Sequence, residues 1–115
     1  MREIKFRALT PSGRWVYGSI LIDPYGTTMM VYFDRYRTEI WAEVTPETVG
    51  QFTGLTDENG VEIYEGDVFD NGDVVVWQDC GFVLQNKLGK FPLWESNIEG
   101  AAVVGNIYEN KELLK

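Results

Sequence analysis

The sequence predicts an all-β domain, and three observations carry that expectation. Apolar residues recur at short, mostly alternating spacing; turn-forming residues return every few positions; and few segments have the length and period of a helix. A chain of 115 residues fits one compact domain able to bury about two thirds of its unfolded surface. With 44% apolar and 14% aromatic residues, its composition is that of a globular protein, since a disordered segment of this acidity would hold far fewer aromatics.

The elements follow in chain order. Ile4, Phe6 and Ala8 alternate with Lys5 and Arg7, giving a first strand with one wet face. Trp15 to Ile22 and Met30 to Phe33 read as the next two strands, separated by Asp23-Pro24-Tyr25-Gly26, whose proline and glycine suit a turn. A fourth strand runs from Glu39 to Val44. Thr45-Pro46-Glu47 then offers an N-cap, a proline at the first helical position and an acid at the positive helix end, but Gly50 limits it to one short turn. Glu58-Asn59-Gly60 is a turn signal, because Asn-Gly supplies the positive φ angles of a tight hairpin before the strand Glu62 to Tyr64.

Gly66-Asp67 interrupts the apolar pattern between Tyr64 and Val68 as a bulge or bend would, and Asp70-Asn71-Gly72-Asp73 turns the chain into Val74 to Trp77. Gly81 precedes Phe82 to Leu84, Leu88-Gly89-Lys90 turns into Phe91 to Trp94, and Ala101 to Tyr108 closes the sheet. The expected architecture is a small meandering sheet curled into a partly open, SH3-like barrel from Ile63 to Tyr108, with the N-terminal strands packed beside it.

The stretch Gln51 to Phe69, QFTGLTDENGVEIYEGDVF, and its echo VVGNIYEN from Val103 to Asn110 resemble the two signature motifs of the YopX-like proteins of bacterial phages and prophages. The resemblance extends to the opening MREIKFRAL and the closing Glu-Leu-Leu, and departs at Phe52, where the family's stretch has a tyrosine, and from Val74 to Glu99. It implies one domain over residues 1–115, with N-terminal strands in 1–50 and a barrel-like part carrying the motifs in 51–110. It also implies a phage accessory role in a bacterial host cell, with no reaction or ligand attached. Gly54, Gly60, Gly66, Asp67, Gly105 and Asn106 are read as residues that shape the backbone, with Ile63 and Ile107 inward and Tyr64 and Tyr108 as amphipathic covers.

The charge of −8 is unevenly placed. Residues 1–37 hold six basic and three acidic side chains, 38–86 hold eleven acidic and no basic, and 87–115 hold four of each. A middle segment without Lys or Arg repels phosphate, so no nucleic-acid partner is expected. Glu62, Glu65, Asp67, Asp70 and Asp73 are the candidate acidic surface for a basic partner protein, against the ordinary reading of a solvated face that keeps the protein soluble.

Several chemistries are excluded by residue type. Without histidine, neither a Ser-His-Asp nor a Cys-His centre exists. Cys80 is the single cysteine, so internal disulfides and cysteine-held metal clusters are ruled out; beside Asp79 and with no cation near in sequence, it is expected to be a passive, partly buried thiol. The acids from Asp57 to Asp73 sit near turns, where Asp serves its own backbone. Placing a calcium-loop glycine at Gly72 puts Phe69 third and Gln78 last, so that template fails. No phosphate loop is present. Trp15, Trp41, Trp77 and Trp94 are expected in the core, with a base- or sugar-stacking platform as the sharper alternative.

The amino terminus is charged where a signal peptide is apolar, and no stretch has the length of a membrane span, so the expected location is the bacterial cytoplasm with no membrane partner. The sequence therefore points away from an enzyme, and no cofactor or metal is expected. It points to a binding or assembly module that pairs with itself or with another protein; an acidic effector mimicking nucleic acid and a carboxylate-dependent hydrolase are the alternatives.

Overall fold

The computed structural model describes residues 3–78, 80–93 and 101–109. Trp94, Asp79, the first two residues of the opening MREIKFRAL and the closing Glu112-Leu113-Leu114 lie outside the described residues. Among the described residues there are eleven strands and one short 3-10 turn. They are β1 Phe6–Leu9, β2 Trp15–Ile22, β3 Thr28–Phe33, β4 Glu39–Glu43, β5 Gly50–Thr56, β6 Glu62–Tyr64, β7 Asp67–Phe69, β8 Val74–Gln78, β9 Gly81–Asn86, β10 Gly89–Pro92 and β11 Val103–Asn106. All described pairings are antiparallel: a six-stranded sheet runs β4-β3-β2-β1-β5-β6 and a five-stranded sheet β10-β9-β8-β7-β11. No closed barrel forms among the described residues.

The chain divides into two compact units, Met1–Phe52 and Thr53–Lys115, and the division falls inside β5. In the first unit β2 serves two neighbours. Its first half pairs with β1, from Leu9↔Trp15 to Phe6↔Gly18, and its second half with β3, from Ser19↔Val31 to Ile22↔Thr28. Gly18 marks the change of partner: a Cβ there would run into the Val31 carbonyl oxygen, so only glycine lets β3 come this close. β3 continues the meander to β4, and the 3-10 turn Pro46–Thr48 leads into β5, which pairs with β1 through Phe6↔Gln51 and Arg7↔Gly50.

That short turn forms as expected, with Pro46 in its first positions, but the cap differs. Thr45 contributes no side-chain cap; the buried Thr48 hydroxyl donates to the Thr45 carbonyl and accepts the Leu9 N–H at 2.9 Å. The core of this unit is Ala8, Val16, Met30 and Val44, with Phe6, Ile20, Tyr32 and Val49 against it. In the second unit Ile63, Phe69, Val75, Leu84 and Leu93 form a separate core, with Phe82, Ala101 and Val103 packed on it.

None of the three described tryptophans enters either core. Trp15 is half-buried beside the Arg7 guanidinium at 4.8 Å, while Trp41 and Trp77 are each about half exposed, Trp77 edge-on to Phe82 at 4.9 Å. Narrow cores between short strands are filled by Val, Ile, Met and Phe, which leaves the larger indoles on the outer faces.

One turn design recurs five times. At Thr10–Arg14, Asp23–Thr27, Asp34–Thr38, Asp57–Val61 and Phe69–Asp73, the first residue's N–H donates to the fifth residue's carbonyl, and the fourth residue's N–H donates to the first residue's carbonyl. The fourth position has left-handed φ in each, as in a type I turn closed by a bulge residue. Glycine fills that position at 13, 26, 60 and 72; in the Asp34–Thr38 turn it is Arg37, at φ 65°. The turn Glu58-Asn59-Gly60 is thus a three-residue loop where the sequence places it, with Gly60 alone left-handed and not Asn59 as well.

Candidate functional site

The two signature segments meet in the second unit, and their polar side chains are turned onto the backbone. Asp57 opens the loop between β5 and β6 and is 7% exposed. One carboxylate oxygen accepts the N–H groups of Asn59 at 2.8 Å and Val61 at 2.9 Å, and the other accepts the Val103 N–H at 2.9 Å, 46 residues along the chain. Burial alone would raise the Asp57 pKa; the N–H groups of Val103, Val61 and Asn59 outweigh it and hold the carboxyl below the usual aspartate value. The Glu58 N–H donates to the Ala101 carbonyl and the Asp70 N–H to that of Ala102, so the segment before β11 is fastened at three points.

The second tie runs through Gly66. Its φ is +92°, its N–H donates to the Val75 carbonyl at 2.8 Å, and its carbonyl accepts the Ile107 N–H at 2.9 Å. The Tyr108 ring lies over it: Cε2 is 3.1 Å from where a Cβ on Gly66 would sit. Asp67, at 1% exposure, accepts the Tyr64 N–H at 2.7 Å. Asn106 Oδ1 accepts the N–H groups of Tyr108 and Glu109, each at 3.0 Å. Gly54 is left-handed within β5, and Gly105 sits where the β11–β7 register shifts. Ile63 is fully buried and Ile107 half-buried; Tyr64, at 2% exposure, is a core residue more than a cover, and Tyr108 is half-buried.

The acidic surface expected from Glu62, Glu65, Asp67, Asp70 and Asp73 does not form as a set. Asp67 is withdrawn because its carboxylate closes the turn after Tyr64. Asp73 accepts from the side-chain amides of Asn86 at 2.8 Å and Asn71 at 3.2 Å, Glu62 accepts from the Tyr64 hydroxyl at 3.2 Å, and Asp70 is exposed while Glu65 is half-buried. No three Cys, Asp or Glu side chains gather as a metal-binding group among the described residues.

A groove of about 870 Å³ runs between Asn71, Asp73, Val76, Gln85, Asn86 and Lys87. The amide oxygens of its two asparagines are engaged by the turns: Asn71 Oδ1 by the Asp73 N–H and Asn86 Oδ1 by the Leu88 N–H. Cys80 is exposed with φ 65° between the paired strand ends Gln78 and Gly81, which corrects the expected partly buried thiol: the tip of a hairpin lies at the surface.

The first unit carries a surface of a different kind, which the motif reading passed over. The register aligns Ser19, Val31 and Trp41 in one row and Leu21, Met29 and Glu43 in the next, with Phe33 opposite Glu39. Directly opposed residues share a face, so Tyr17, Leu21, Met29, Val31, Phe33 and Trp41 lie on the side away from Met30 and its core. Tyr17, Leu21, Phe33 and Trp41 are 49%, 42%, 68% and 52% exposed, more than scattered surface apolar residues account for. The alternation in WVYGSILI, TMMVYF and EIWAE is apolar on both faces, and that was the signal available in the sequence.

The fold and this chemistry define a small all-β protein whose signature residues fasten one turn to another. The YopX protein family matches residues 5–115, and the chain belongs to that family. A crystal structure of protein EF1440 from Enterococcus faecalis is similar over 100% of both chains, with a TM-score of 0.66 at 24% identity, a likeness of fold. No curated protein matches the chain.

Proposed function

We propose that this protein is a phage- or prophage-encoded accessory protein of the host cytoplasm that acts as a non-enzymatic binding or assembly module. The first unit's strand order, β5-β1-β2-β3-β4 with a 3-10 turn before β5, is read here as a partly open SH3-like arrangement, in the half of the chain opposite to that expected from sequence. The observation that carries the reading is the exposed apolar face of β2, β3 and β4. Among the described residues no helix is long and apolar enough to cross a membrane, so a lipid-buried helix does not account for the apolar surface. The motif residues support the same reading, since Asp57, Asp67 and Asn106 hold backbone N–H groups.

A second reading, an acidic effector for a basic host protein, is favoured by one observation. Residues 1–52 hold six basic and six acidic side chains, whereas 53–115 hold four and twelve, so the whole net charge of −8 belongs to the second unit.

Salt separates the two. Apolar burial survives molar salt, whereas a charge-driven complex loses its hold as the Debye length falls from about 10 Å to about 3 Å. Light scattering and affinity capture at 0.1 and 1 M salt should show a salt-resistant complex. A salt-labile complex lost on neutralising Glu62, Glu65 and Asp70 would favour the effector, and turnover abolished by Asp73→Asn would favour a hydrolase.

A further inference from the structure

We infer that the exposed face of β2, β3 and β4 is the interface of an isologous dimer, occupied by the same face of a second copy. This rests on the module reading above and names its partner. Three features of the face are self-complementary.

The first is area. At the exposures of Tyr17, Leu21, Phe33 and Trp41, with half-buried Met29 and Val31 between them, the patch offers roughly 500 Å² of apolar surface per copy. With a polar rim it reaches toward the roughly 800 Å² per partner of a stable interface. The second is net charge. Two copies of the neutral first unit meet without the repulsion that two copies of the second unit, at −8 each, would suffer.

The third is the arrangement of charge along the strands. The hairpin tip between β3 and β4 presents exposed Arg35 and Arg37, with Arg35 stacked over Tyr36 at 4.9 Å. Glu43 lies at the far end of β4, in the row with Met29 and Leu21. A two-fold axis in the plane of the face and across the strands, midway between the Val31–Trp41 and Phe33–Glu39 rows, sets each basic tip against the partner's Glu43 end and keeps Glu39 clear of that carboxylate. It stacks the apolar rows between them.

Direct edge pairing of β4 with a second β4 is disfavoured. In the register that pairs all five residues, Glu39 falls opposite Glu43 at both ends of the Trp41 pair.

The test is the mass of the full-length protein by sedimentation equilibrium at 0.1 and 1 M salt. Twice 13.2 kDa is expected at both. Phe33→Lys and Trp41→Lys should each give a monomer with an unchanged circular dichroism spectrum and a melting temperature that no longer rises with protein concentration. Arg35→Glu with Arg37→Glu, and Glu43→Lys, should each weaken self-association at 0.1 M salt, and an equimolar mixture of the two variants should restore the doubled mass. A wild-type monomer that forms a salt-resistant complex with another chain overturns the dimer and leaves the module reading standing; a monomer with no salt-resistant partner overturns both. A dimer that survives Trp41→Lys overturns the assignment of this face.

Discussion

Replacing Asp57 with alanine removes the acceptor for three backbone N–H groups at once, those of Asn59, Val61 and Val103. The first two belong to exposed residues of the loop and regain water, so each loss costs about 0.5 to 1 kcal/mol. The Val103 N–H is half-buried beside the second core, and leaving it unsatisfied costs about 1 to 3 kcal/mol. The expected destabilisation is about 2 to 5 kcal/mol. At about 4 °C per kcal/mol for a chain of this size, that lowers the melting temperature by roughly 8 to 20 °C.

The dependence on pH gives a second reading. The folded pKa of Asp57 is depressed, so its ionised form stabilises the fold fully above the unfolded value, and that contribution is lost as pH falls through the folded value. Asp57→Asn keeps an acceptor oxygen without the charge. Its deficit relative to wild type is therefore expected to be largest near neutrality and to shrink below about pH 4. Urea melts at pH 7, 5 and 3 measure both quantities. An Asp57→Ala variant melting within a degree of wild type, or an Asn variant whose deficit is flat from pH 7 to 3, would refute the argument.

Gly66→Val is expected to cost about 2 to 4 kcal/mol, because it combines a left-handed φ with a Tyr108 ring in the place of the Cβ; chemical denaturation measures it, and no loss would show that the tie is not structural. Gly105→Val, at a strand bulge, should cost less than Gly66→Val in the same assay. Gly18→Ala should destabilise by about 1 to 3 kcal/mol, since the Val31 carbonyl must move; an unchanged melting curve would contradict the close approach of β2 and β3. Arg37→Asn should raise stability by about 0.5 to 1 kcal/mol, as asparagine tolerates the left-handed position better; a fall would mean that the Arg35-Tyr36-Arg37 tip makes contacts worth more than the strain.

What was legible in the sequence was legible locally. WVYGSILI gives the full extent of β2 because alternation and turn residues bound it at both ends, and Pro46 gives the 3-10 turn. Two strands escaped notice. β5, GQFTGLT, reads as a polar stretch broken by glycines, and β7, DVF, is only three residues long and buried throughout, so neither has a period to detect. Asn59-Gly60 marks its turn, but the positive φ falls on Gly60 alone, because the repeating unit is a five-residue turn with a left-handed fourth position that is glycine in four of five cases.

At the site, the service of Asp to its own turn follows from residue type, as Asp23, Asp34 and Asp57 show. The reach from Asp57 to Val103 does not, because pairing across 46 residues depends on where β11 lands. The same is true of Asp67, whose place in an acidic run gave no sign that it lies beneath the surface.

The fastening of β11 has a consequence for the order in which the chain acquires structure during translation. The first unit is assembled mainly from neighbouring hairpins, β1 with β2, β2 with β3, and β3 with β4, so each contact becomes available soon after its residues are made. The second unit meanders in the same way from β7 to β10 but is completed only by a long-range pairing. β7 pairs with β8 at once on one side, but its other partner, β11, is synthesised only after β9 and β10, and it brings the Val103 N–H to Asp57 and the Ile107 N–H to Gly66. Until then a nascent chain presents β7 as an open edge beside an unfinished core, the state most exposed to wrong pairing. The echo motif near the end of the chain thus acts as a latch that closes last, and its loss leaves a folded first unit tethered to an unlatched second one.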